Sequence, residues 1–79
     1  METTVKTMTT FGVFLHSKRK ESLYTVREFA RELGIRPSEL CDYEYDRALP
    51  QDKRLLGKMS ELLKLSSDDD HRMYELAGM

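Results

Sequence analysis

Residues 25–44 contain the stretch that decides the fold, and they read TVREFARELGIRPSELCDYE. Thr25 and Glu28 have the spacing of a capping box, in which the threonine hydroxyl accepts from the glutamate amide and the carboxylate accepts from the threonine amide. Apolar residues recur with helical spacing over the following turns. Gly34 can adopt the left-handed conformation with which many helices end. We therefore predict a helix over residues 25–33.

A second helix is predicted shortly after this one, over residues 37–45. Pro37 is favoured in a first helical turn, where its missing donor is not needed. The residue before it is a poor cap, so the residue that opens the helix stays undetermined. Leu40 and Tyr43 then share one helical face. With the intervening turn, residues 34–36, the two segments form a helix, a short turn containing glycine and a second helix, which is the signature of a helix-turn-helix unit.

Two further helices flank this unit. The N-terminal one is predicted over residues 10–21, with Thr10 as its cap and apolar residues at helical spacing behind it. Another follows a cap at Asp52 and ends near Leu65, and its apolar positions are spaced as on one face of a helix.

A fifth helix follows a cap at Ser66 or Ser67, and Gly78 ends it. Three aspartates, residues 68–70, fall in its first turn, where negative charge suits the helix dipole. Its apolar stripe includes Met73. No stretch alternates with period two over a useful length, so we expect an all-α fold without a sheet.

Length and composition point to one small domain. The chain has 79 residues, and we expect a flexible tail over residues 1–9 and a single domain over residues 10–79. Cys41 is the only cysteine, so no disulfide can form within the chain, and a reducing compartment is expected. The chain has only one cysteine and two histidines that lie far apart in the sequence, so we expect no metal site. No apolar run suits a membrane span and no signal peptide is visible, so we expect a cytoplasmic protein.

Charge is unevenly distributed along the chain, although the net charge is only −1. Three lysine and arginine residues and no acid give residues 11–20 a charge of +3. Residues 51–65 have a net charge of +2, whereas residues 66–79 have a net charge of −3. A nearly neutral total can therefore hide a basic face, and a local field is what attracts a polyanion.

The ordered set of motifs over residues 11–65 resembles the Cro/C1-type (XRE-like) helix-turn-helix family, which includes phage repressors. The segments that carry the resemblance are Ser17-Lys18-Arg19, Thr25-Val26-Arg27-Glu28-Phe29-Ala30, Leu33-Gly34-Ile35, Leu40-Cys41-Asp42-Tyr43-Glu44 and the apolar run of the fourth helix. The resemblance implies a five-helix bundle of the lambda-repressor-like type that usually binds operators as a dimer. It also implies a buried pair between Arg19 and Glu44, each of which lies at the edge of an apolar face where a lone charge would be costly.

The resemblance further implies which residues contact DNA. Those matched to the contact positions of phage repressors are Val26, Pro37, Ser38 and Asp42. Basic residues that could bind phosphates are Lys18, Lys20, Arg27, Arg31, Arg36, Arg47, Lys53 and Arg54. The chain departs from the family in its acidic composition over residues 34–50, which carry a net charge of −2, and in having Tyr45-Asp46 where a glycine usually follows the glutamate.

These features predict a sequence-specific transcriptional regulator that inserts the helix over residues 37–45 into the major groove of double-stranded DNA. A repressor is the kind of regulator that we expect. A homodimer would read two half-sites. The alternative is an antitoxin or adaptor on the same fold, which binds a protein partner such as a toxin and binds DNA weakly or not at all. An enzyme is not expected, because the chain has no nucleophile–base pair or phosphate-binding loop, and no cofactor is implied.

Overall fold

Polar side chains cap four helices of the computed structural model, which describes residues 9–79. The hydroxyls of Thr10, Thr25 and Ser66 and the carboxylate of Asp52 each accept a hydrogen bond from an amide two or three residues later. These caps satisfy donors that would otherwise be left unpaired at a helix start. The helices are α1 (Phe11–Glu21), α2 (Val26–Leu33), α3 (Pro37–Glu44), α4 (Lys53–Leu63) and α5 (Ser67–Leu76). The described residues contain no strand, and the all-α prediction is confirmed.

Left-handed residues end two of the helices. Gly34 ends α2 at φ 75°, as its position in the sequence predicts. Lys64 ends α4 at φ 53°, so this helix stops before the predicted limit near Leu65. Lysine gives no sequence signal for a left-handed residue, because few residues other than glycine and asparagine favour that conformation.

All five helices supply side chains to one core. α1 packs against α3 and α5, α2 packs against α3 and α4, and α4 packs against α5. The side chains with no exposed surface come from every helix: Leu15, Phe29, Ala30, Leu40, Leu56, Met59 and Met73. Each helix therefore holds a neighbour in place, and the position of α3 depends on the whole bundle.

The flexible tail predicted for residues 1–9 lies outside the described residues except for Thr9, which is half-buried just before α1. Within residues 9–79, no helix has both the length and the apolar character that crossing a membrane would require.

Candidate nucleic-acid interface

The turn between α2 and α3 is anchored to the end of α2 by two backbone hydrogen bonds. The amide of Gly34 donates to the carbonyl of Arg31 at 3.1 Å, and the amide of Ile35 donates to the carbonyl of Ala30 at 3.0 Å. Ala30 is fully buried, and its small side chain lets the two helices approach closely. Ile35 packs against the core. The direction in which α3 leaves this turn is therefore set by buried contacts.

Only one face of α3 is exposed. Arg36, Pro37 and Ser38 are exposed at its start, and Asp42 is half-exposed one turn after Ser38. Leu40, in the middle of the same segment, is fully buried. The helix expected to enter the major groove therefore offers only its outer face to a partner.

The start of α3 has no side-chain cap. Arg36 occupies the capping position without a side-chain hydrogen bond, and Pro37 follows at the first helical position. The amide of Ser38 donates to no other described residue. The amides of Glu39 and Leu40 both donate to the carbonyl of Arg36, so the Ser38 amide is the free donor of this turn. A free amide at a helix N-terminus favours an anion, because the helix dipole adds to its hydrogen-bonding capacity.

At the other end of α3, Asp42 and Arg47 form an ion pair. The guanidinium Nε of Arg47 donates to Asp42 Oδ1 at 2.9 Å, and the guanidinium lies 5.2 Å from the ring centroid of Tyr45. The backbone of Arg47 also returns to α3, since its amide donates to the Asp42 carbonyl at 2.8 Å. Two of the residues expected to contact DNA thus contact each other.

Lys18 is engaged between α1 and α5. Its ammonium lies 2.9 Å from the Asp69 carboxylate and 3.7 Å from that of Glu21, and it lies over the ring of Phe14. The hydrogen bond to Asp69 raises the pKa of the Lys18 ammonium. This lysine, expected to bind phosphate, is therefore committed to a contact between two helices.

Four further residues expected to contact DNA lie in the first turn of a helix, whereas Lys20 and Arg31 lie in the last turns of α1 and α2. Val26 is half-buried and Arg27 is exposed in the first turn of α2. Arg54 is exposed and lines a groove beside the α2–α3 turn, together with Ile35. Lys53 is also exposed, but it lines a separate depression with residues of α5. The structure therefore brings Arg54 close to the turn and places Lys53 on the α5 side.

A buried charge cluster fixes the end of α3 to α1. Nε and Nη2 of Arg19 donate to the two carboxylate oxygens of Glu44 at 2.6 and 3.0 Å, so the expected ion pair is present. His16 Nδ1 lies 2.9 Å from Glu44 Oε1, and Arg19 Nη1 donates to the carbonyl of Tyr24 at 2.8 Å. Burial raises the pKa of the Glu44 carboxyl, but the hydrogen bonds from Arg19 and His16 outweigh it and lower that pKa overall.

Sequence reasoning did not anticipate the role of Asp46. This residue adopts φ 60°, a left-handed conformation that is uncommon for residues other than glycine and asparagine. Its carboxylate accepts from the Gly12 amide at 3.0 Å and from the Thr10 hydroxyl at 2.6 Å, so it caps the start of α1 from the loop after α3. An aspartate in a short loop is a usable signal, because aspartate tolerates this conformation and can cap a nearby helix.

No protein-family model matches this chain, and no curated protein or solved structure matches it either.

Proposed function

We propose that this chain is a DNA-binding transcriptional regulator of the lambda-repressor-like helix-turn-helix type, which inserts α3 into the major groove. The observation that carries the proposal is the uncapped, exposed start of α3, which follows a turn whose Ile35 packs against the core. In helix-turn-helix proteins the second helix enters the groove and its N-terminal residues reach the base edges. Ser38 and Asp42 lie one helical turn apart on that exposed face.

Exposed arginines of α2, the turn and α4 supply the phosphate contacts. Arg27, Arg36 and Arg54 form no ion pair with any acid among residues 9–79, so their charges are available to a polyanion. They belong to α2, to the turn and to α4, and phosphate contacts from several elements fix how a protein sits on a duplex. Bound in this way at a promoter as a homodimer, the protein would act as a repressor by occlusion.

An adaptor or antitoxin that binds another protein is the second candidate. Val13 and Tyr45 are exposed and line a shallow depression with His16 and Glu44. Exposed apolar side chains beside charged ones are typical of protein-binding surfaces. A protein with this function would bind DNA weakly and without a dependence on α3.

Binding to random duplex DNA at several salt concentrations distinguishes the two candidates. We expect fluorescence polarisation to show affinity that falls steeply with salt, because phosphate contacts release counterions. Arg36→Gln should weaken binding to all sequences and reduce the slope of log K against log salt by about one. Arg72→Gln is the matched control, since Arg72 is an exposed arginine of α5 without an ion pair among the described residues. Absence of salt-sensitive binding at micromolar protein would favour the adaptor.

A further inference from the structure

The ion pair between Asp42 and Arg47 lies on the exposed face of α3, where a duplex would be received. Their side chains are 48% and 59% exposed. Asp42 follows Ser38 by four residues, and this spacing places both on one side of a helix. The pair therefore belongs to the same surface as the start of α3.

Arg47 keeps hydrogen-bonding capacity that the pair does not use. Only its Nε donates to Asp42, and its Nη groups donate to no other described residue. The contact with the Tyr45 ring and the backbone hydrogen bond to the Asp42 carbonyl keep the residue close to the end of α3. Arg47 can therefore turn towards a phosphate without a change in the course of the chain.

The Asp42–Arg47 ion pair determines how strongly this face attracts a polyanion. While Arg47 donates to Asp42, the two charges cancel and Arg47 adds little attraction for phosphate. If Arg47 moved to a phosphate alone, the Asp42 carboxylate would remain uncompensated beside the duplex and would repel it. The move is favourable only where the duplex offers Asp42 a new donor, and in the major groove the amino group of cytosine is such a donor.

We propose that Asp42 is a specificity-determining residue that exchanges Arg47 for the N4 amino group of a cytosine when α3 enters the major groove, a proposal that rests on the DNA-binding function above. In the free protein, Arg47 donates to Asp42. In the complex, Arg47 donates to a phosphate and Asp42 accepts from the cytosine. An ion pair this exposed contributes little to stability, so its opening costs little. On other bases the pair stays closed, and Arg47 adds no phosphate contact.

The test combines selection of bound duplexes from a random pool with polarisation measurements on four proteins: the wild type, Asp42→Asn, Arg47→Gln and the double variant. Glu61→Gln is the control for a general change in charge, because Glu61 is an exposed acid near the far end of α4 with no ion pair among the described residues. Circular dichroism melts establish that each variant is folded.

We expect the wild type to select cytosine at one position of the site. Asp42→Asn should weaken that preference, because the amide can also donate to the acceptors of other bases. It should bind random duplex roughly tenfold more tightly, with a salt slope steeper by about one phosphate contact, because Arg47 no longer has a carboxylate to pair with. The gain should vanish when Arg47→Gln is also present, and Glu61→Gln should show neither effect.

Three other outcomes are informative. An Asp42→Asn protein with unchanged base preference and unchanged affinity for random duplex would overturn the exchange and leave the DNA-binding function standing. A gain of the same size without Arg47 would also overturn it, because Asp42 would then act by direct repulsion. If no protein of the set bound duplex in a salt-sensitive way, the proposed function itself would fail, and the exchange with it.

Discussion

Gly12 shows how one residue permits the close contact between α1 and the end of α3. A Cβ at this position would collide with the carbonyl oxygen of Glu44 and would lie 2.7 Å from Asp46 Oδ2. The backbone of Glu44 cannot move away easily, because its side chain is bound to Arg19 in the core. The absence of a side chain at Gly12 is therefore a requirement of the packing.

Alanine at Gly12 should destabilise the protein, whereas alanine at Gly57 should not. We expect Gly12→Ala to reduce the free energy of unfolding by about 1–3 kcal/mol, the usual cost of inserting a methyl group into a filled space. Gly57 lies inside α4, and a Cβ there would meet only the Tyr74 hydroxyl at an ordinary 3.8 Å. Gly57→Ala should therefore stabilise the protein by about 0.5–1 kcal/mol through better helix propensity.

Urea denaturation of the two glycine variants measures both values. Equal effects of the two substitutions, or a Gly12→Ala protein as stable as the wild type, would show that the helices have room to separate and that the close approach is not required.

The role of Asp46 marks a limit of inference from sequence at this scale. Its position two residues after Glu44 is visible in the sequence, but the sequence does not show that the carboxylate reaches the Gly12 amide. This contact depends on the packing of α1 against α3, which joins residues 34 positions apart. Local patterns carry no information on such a distance, whereas the capping box of Thr25 and Glu28 is predictable because its partners are three residues apart.

Between elements, the charge cluster of Arg19, Glu44 and His16 joins α1 to α3. The side chains of Arg19 and Glu44 are only 9% and 4% exposed, so each depends on the other for compensation of its charge. Since α3 is the helix that would enter the groove, this cluster contributes to the angle at which α3 is held.

Replacing Glu44 should therefore weaken the fold in a pH-dependent way. We expect Glu44→Gln to cost about 3 kcal/mol at neutral pH, because the buried Arg19 loses its counter-charge. The pKa of Glu44 is lower in the folded protein than in the unfolded chain. The stabilisation from its ionised form is thus complete above the unfolded value of about 4.3 and is lost as the pH falls through the folded value.

The measurement is urea denaturation of wild type and variant between pH 7 and pH 3. The difference in stability should stay constant down to about pH 5 and then shrink. Glu32→Gln removes an exposed acid of α2 with no described ion pair, and its stability should follow that of the wild type at every pH. A difference that persisted unchanged at pH 3 would contradict a role for the ionised carboxylate.

At the level of elements, the sequence predicts the helices better than their contacts. Caps, glycine stops and apolar spacing predict five helices because these signals act within a few residues. The commitment of Lys18 to Asp69 was not predictable, since the two residues lie on α1 and α5 and meet only when the bundle forms. The sequence likewise places Lys53 and Arg54 side by side, but the structure separates them, because neighbouring helical residues face different directions.

For the whole molecule, α5 is a part of the core and not an appendage. Met73 has no exposed surface, and Ala77 just beyond the helix is also buried. α5 packs against both α1 and α4, and α1 in turn packs against α3. α5 therefore supports the placement of α3 through α1, against which both helices pack.

Truncation of Met73 should for this reason destabilise all five helices together. We expect Met73→Ala to cost about 2–5 kcal/mol, the range for removing a large buried side chain, out of the ~5–15 kcal/mol that holds a typical domain folded. The unfolding midpoint should fall by about 10 °C or more. Thermal unfolding, measured in a Tyr74→Phe background because Tyr74 lies in α5, should give the same midpoint by two probes. These are far-UV circular dichroism, which reports all helices, and tyrosine fluorescence, which then responds to packing around tyrosines outside α5, including Tyr24 and Tyr43. Arg72→Gln, on the exposed side of α5, should leave both curves unchanged. An early loss of helical signal with the tyrosine transition unmoved would mean that α5 unfolds by itself, and α3 would then be held without it.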